Sequence, residues 1–136
     1  GKTDYNVKGA FSVSENYDEY LTQLLKCHQN ESPLSHIEKN FVIKGDAVKT
    51  LKQYLDDHKE TIIAFAYFDF DIYKPTLECL KLILPYLTKG AIIGFDELCD
   101  PGFPGETEAL REVLGTKNFS IQRSKYSGIQ SYLVFE

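Results

Sequence analysis

One stretch fixes most of what this chain can fold into. Residues 62–71 read Ile-Ile-Ala-Phe-Ala-Tyr-Phe-Asp-Phe-Asp, an apolar run ending in an acidic turn. Residues 91–97 read Ala-Ile-Ile-Gly-Phe-Asp-Glu and repeat the pattern. Between them lies an amphipathic segment that opens near Pro75, carries Leu77, Leu80, Leu84 and Leu87 at three- and four-residue spacing, and stops at Gly90. Two near-continuous apolar runs joined by a helix predict a parallel pair with a crossover. Parallel neighbours end at the same edge of a sheet, and open α/β sheets take their ligands at that carboxyl edge. The spacing therefore gathers Asp69, Asp71, Asp96 and Glu97 at one end of a buried unit. Without a cation these carboxylates repel one another.

The flanking segments extend the unit. Asn16 with Glu19 resembles a capping box ahead of a helix over 17–28. A turn-rich break containing Pro33 follows. Phe41-Val42-Ile43 reads as a short strand ending at Gly45-Asp46, and Asp46 is placed to cap a helix over 47–57. Beyond Glu97, a turn-forming loop over 99–105 leads into a helix with Leu110, Val113 and Leu114. Two strands, near 118–123 and 129–135, flank Tyr126-Ser127-Gly128 and predict a closing antiparallel hairpin. Residues 1–15 lack periodicity and read as loop.

A chain of 136 residues suits one α/β domain. Its formal net charge of −5 disfavours nucleic acid as a partner. No apolar run reaches the roughly 18 residues of a membrane span, and no secretory leader is visible. Cys27, Cys79 and Cys99 lack metal-ligand spacing and read as reduced thiols, which suggests a cytoplasmic protein. The sequence contains no Met and begins Gly1-Lys2-Thr3-Asp4, which reads as a piece of something longer.

Hard divalent cations such as Mg²⁺ take oxygen ligands from a few carboxylates, water and substrate. Asp69, Asp96 and Glu97 offer such a set from adjacent strand ends. The alternative is that these residues are ordinary strand-end caps.

The run AYFDFDIYKPTLECLKLILPYLTKGAIIGFDEL resembles the carboxyl-terminal half of a class I S-adenosylmethionine-dependent methyltransferase, of the macrocin-O-methyltransferase (TylF-like) group. That family has an Asp-x-Asp-x-Tyr motif, a helix, and a Gly-led strand ending in Asp-Asp or Asp-Glu. Here these are Asp69-Phe70-Asp71-Ile72-Tyr73, Gly90 and Asp96-Glu97. The resemblance spans about residues 40–136. It implies Mg²⁺ at Asp69, Asp96 and Glu97, and contact between Gly45-Asp46 and the adenine end of the cofactor. It further implies methyl transfer to a small-molecule or sugar hydroxyl. The general base is not identified; Asp69 and Asp71 are candidates by their place alone. The family's glycine-rich cofactor loop and the acidic end of its second strand have no counterpart here. The expectation is a truncated, Rossmann-like sheet holding only the family's strands 3 to 7, in order 3-4-5-7-6, mostly parallel with an antiparallel hairpin. This chain by itself is expected to be inactive, and a homo-oligomer could cover the sheet face left bare. Two rival readings are a metal-dependent enzyme with an Asp-x-Asp turn, such as a glycosyltransferase or phosphatase, and a non-catalytic remnant of an enzyme.

Overall fold

The computed structural model describes residues 13–136. The loop expected at residues 1–15 lies outside the described residues up to position 12. The chain divides into two compact units, Gly1–Lys44 and Gly45–Glu136.

The described part of the first unit contains one helix, α1 (Tyr17–Glu31). It runs a turn past the expected end. The capping box does not form: Asn16 is left-handed (φ 60°) and its side chain makes no capping bond. Its carbonyl instead receives the amides of Glu19 and Tyr20. None of the α1 side chains is buried. The strand expected at residues 41–43 is absent; those residues are irregular. Three apolar residues supply β-propensity, but a strand is stable only when paired.

The second unit contains α2 (Ala47–Asp57), β1 (Ile63–Phe68), α3 (Tyr73–Ile83), β2 (Leu87–Phe95), α4 (Gly105–Val113), β3 (Gln122–Arg123) and β4 (Ser131–Val134). Asp46 caps α2 as expected, its carboxylate accepting from the Lys49 amide at 3.2 Å. The expected helix over 75–87 is cut short. Pro85 disfavours helix at the residue before it and has no amide to donate. Residues Leu84–Tyr86 therefore form a single 3₁₀ turn, and Leu87 already belongs to β2.

The sheet order is β1-β2-β4-β3. β1 and β2 are parallel, with Phe68 opposite Phe95. β4 runs antiparallel to β2, and β3 antiparallel to β4. This is the 4-5-7-6 portion of the expected order, without the strand that was to flank it. A register shift between Ile63 and Phe65 leaves Gly90 (φ 85°) to bend β2, and its amide bonds the Phe135 carbonyl.

The core lies on one face of the sheet. Phe68, Ile93, Phe95 and Leu133 pack with Leu77, Leu80 and Ile83 of α3 and with Ala109 and Leu110 of α4. Phe68 stacks on Phe95 with ring centroids 5.4 Å apart. The apolar runs suggested strands buried on both faces; the structure buries one. Phe65 is 63% exposed and Tyr67 47%.

Candidate active site

Both acidic turns leave the same edge of the parallel pair. The Asp96 amide bonds the Phe68 carbonyl at 3.0 Å, the final rung between β1 and β2. Beyond it the chain turns sharply on each side. Asp71 takes a left-handed conformation (φ 60°), which a short polar side chain tolerates better than most. Ile72 then opens α3, its carbonyl accepting from the buried Thr76 hydroxyl at 2.9 Å. On the other side Leu98 is buried and Cys99 is also left-handed (φ 68°).

The carboxylates are unequal in their surroundings. Asp96 is engaged: Oδ1 accepts from the Tyr67 hydroxyl at 2.6 Å and from Gln130 Nε2 at 2.8 Å. Burial, and then the bond to Asp96, push the Tyr67 hydroxyl well above its ordinary range. Asp69 is raised by desolvation and by the charges of Asp96 and Asp71. Glu97 is pushed up to about 8, first by desolvation, then by a hydrogen bond with the Asp71 carboxyl and by the charges of Asp71, Asp96 and Glu106. Two carboxyl groups that share a site share a proton, because both cannot ionise cheaply. Glu97 Oε2 is buried with no hydrogen-bond partner.

Sequence reasoning missed three members of this edge. Tyr67 was read only as part of an apolar strand. Gln130 reaches Asp96 because β4 lies beside β2, which no local pattern announces. Glu106 is fully buried and accepts from the amides of Phe70 and Glu97. Its one legible sign was an acidic residue in the first turn of a helix.

Of the residues marked in the sequence, the structure brings together Asp69, Asp71, Asp96 and Glu97. Gly45 and Asp46 make no hydrogen bond to the acidic turns among the described residues; Asp46 bonds within its own helix start, to Lys49 and Thr50. Asp46 also adds to the burial that pushes the Cys79 thiol up to about 11. As they stand, no three His, Cys, Asp or Glu side chains among the described residues form a group that could hold a metal ion. The expected Mg²⁺ triad is therefore collected at one edge but not assembled.

A parallel pair extended by an antiparallel hairpin, with acidic strand ends at its carboxyl edge and three helices on one face, is the truncated form of a Rossmann-like methyltransferase sheet. The particular likeness is to solved structures of CalS11. The apo structure of that protein, a TDP-rhamnose 3′-O-methyltransferase of calicheamicin biosynthesis, aligns over 91% of this chain at 38% identity with a TM-score of 0.85. A crystal structure described as CalS11, calicheamicin methyltransferase, aligns over 93% of this chain at 38% identity with a TM-score of 0.88. The chain spans about half of each, 54% and 50%. No protein-family model matches the chain. No curated protein matches it either. Among the described residues, no helix is long and apolar enough to cross a membrane.

Proposed function

We propose that this chain is the acceptor-side half of an S-adenosylmethionine-dependent O-methyltransferase of the macrocin type, acting on the hydroxyl of a sugar or similar small molecule in the cytoplasm. The observation that carries the reading is the 38% identity to a sugar O-methyltransferase over 91% of this chain. S-adenosylmethionine, when bound, supplies the methyl group. On this side of the reaction the chain orients the acceptor and removes its proton. Asp69 is exposed at the strand end, and its raised proton affinity suits a general base. Asp71, facing Glu97, is the second candidate.

Mg²⁺ fits this edge in chemistry. The donors are all carboxylate oxygens, and Glu97 Oε2 is buried and unpartnered. Mg²⁺ keeps several waters and needs only one or two carboxylates, so a ready-made triad is not required. Asp69, Asp96 and Glu97 would hold it, with Asp96 turning away from Tyr67 and Gln130. A bound cation there would acidify a coordinated hydroxyl.

Calorimetry on the chain tests this reading. Mg²⁺ is expected to bind weakly, in the millimolar range, and Asp96→Asn to abolish the heat. S-adenosylmethionine is expected to bind more weakly than low micromolar. Gly45 and Asp46 are the contacts left for it, and the sequence holds no Gly-x-Gly loop. Heat from a nucleotide sugar with Mg²⁺, and none from S-adenosylmethionine at millimolar concentration, would favour the glycosyltransferase reading instead.

The bare sheet face bears on assembly. Phe65, Tyr67 and Ile92 stand exposed beside the open edge of β1, a strand without charge or proline to guard it. Homo-oligomers joined through this face are expected at high micromolar concentration, with Phe65→Glu reducing them. Sedimentation that shows only monomer for the parent chain would rule this out.

A further inference from the structure

The two acidic turns belong to different strands, 25 residues apart between Asp71 and Asp96. Their last shared backbone bond is the one from the Asp96 amide to the Phe68 carbonyl. Past that rung, besides the hydrogen bond between the Asp71 and Glu97 carboxyls, one side chain binds the backbone of both turns. Glu106, the second residue of α4, has no exposed surface. Its Oε1 accepts from the Phe70 amide at 3.3 Å, and its Oε2 accepts from the Glu97 amide at 3.1 Å. One oxygen serves each turn.

Gly105 makes this reach feasible. A Cβ there would lie 2.4 Å from the Tyr73 nitrogen, 2.7 Å from the Ile72 carbonyl carbon and 2.9 Å from the Asp71 oxygen. All three are backbone atoms and cannot swing aside. The start of α4 therefore seats directly on the backbone of residues 71–73 because position 105 has no side chain. That seating carries Glu106 between the turns.

A carboxylate is a costly choice for this place. Desolvation raises its proton affinity, and Asp96 and Asp69 add like charge; only its bonds to the Glu97 and Phe70 amides act in the other direction. An apolar side chain would fill buried space with less penalty, so packing alone does not call for Glu. A group with two acceptor oxygens is what two amides on opposite turns require. An amide side chain offers one acceptor and presents donors at its other end.

We propose that Glu106 is a positioning residue that fixes the spacing between the 69–71 turn and the 96–97 turn, and with it the mouth of the ligand edge. Its functional sense rests on reading that edge as the site, but the link itself does not.

Amide hydrogen exchange on the 136-residue chain, followed by NMR without ligand, tests it. In the parent, the Phe70 and Glu97 amides should be protected. In Glu106→Gln, at least one of them should exchange tenfold faster or more, relative to the core-strand amides of Ile93 and Leu133. A side chain that merely contributes to stability would speed all four together. Titration with Mg²⁺ alone should give at least threefold weaker binding in the variant. If Mg²⁺ fails to bind either protein while the exchange result holds, the metal reading falls and the positioning role stands. Exchange at Phe70 and Glu97 that rises no more than at Ile93 and Leu133 would overturn the proposal. Should Glu106→Gln not fold, unprotected Phe70 and Glu97 amides in the parent would overturn it equally.

Discussion

Gly105→Ala should destabilise the chain by about 3 kcal/mol, the upper part of the usual range for forcing atoms into a packed site. The sign is the informative part. Alanine is the better helix former by about 1 kcal/mol, so a glycine in a helix is normally a place to gain stability. Here the added methyl would meet backbone at 2.4 Å, 2.7 Å and 2.9 Å. Relieving the overlap means lifting the start of α4 off residues 71–73, which also draws Glu106 away from the Phe70 and Glu97 amides. Loss of packing and loss of both bonds then outweigh the helix gain. Urea denaturation measures the effect as a lower midpoint at unchanged slope. A variant within about 0.5 kcal/mol of the parent would show that α4 can shift freely, contrary to its seating on that turn.

The second expected result is a pH dependence with an unusual direction. In metal-free buffer, stability should fall as pH rises from about 5 to 9. Glu97 keeps its proton up to about 8 in the folded chain, whereas an unfolded glutamic acid loses it near 4.5. The folded state therefore binds more protons in this window, and stability decreases with pH. The contribution is fully present below the unfolded value and lost as pH passes the folded one. Asp69 and Glu106 are raised as well and act in the same sense. After allowance for solvent screening, the Glu97 part is about 1–2 kcal/mol. Glu97→Gln should flatten the slope and leave the variant more stable than the parent at pH 8.5, because its amide donates permanently to Asp71. The surface carboxylates work oppositely. Asp56, lowered to about 2 by bonds to Lys52 and Lys59, supports the fold less as pH falls. Maximum stability near pH 5 is the combined expectation. Thermal melts across this range would decide it. A parent chain equally stable at pH 6 and pH 9, or a Glu97→Gln variant weaker than the parent at pH 8.5, would reject the shared-proton picture.

Local sequence determined the elements that local forces make. The apolar runs became β1 and β2, Asp46 capped α2, and Tyr126-Ser127-Gly128 fell between the closing antiparallel strands. The two acidic turns came to one edge because parallel strands joined by a helix leave no other arrangement. Where local signals misled, a partner or a breaker was the cause. Residues 41–43 had strand propensity but form no strand. The leucine spacing carried the expected helix through Pro85, which ended it. The apolarity of β1 announced two buried faces, yet burial depends on what is packed there, and the helices of the second unit lie on one side.

The site was legible as a cluster of carboxylates and not as an arrangement. Which carboxylate is engaged, and what holds the two turns together, follow from Tyr67, Gln130 and Glu106. Their partners lie 29, 34 and 36 residues away in the chain. Hydrogen bonds over such separations have no periodicity to betray them. They exist because the sheet register sets β4 beside β2 and because a glycine lets α4 touch the turn after β1. Sequence supplied the charges; only the tertiary structure, by setting distances and excluding water, decided what each charge could do.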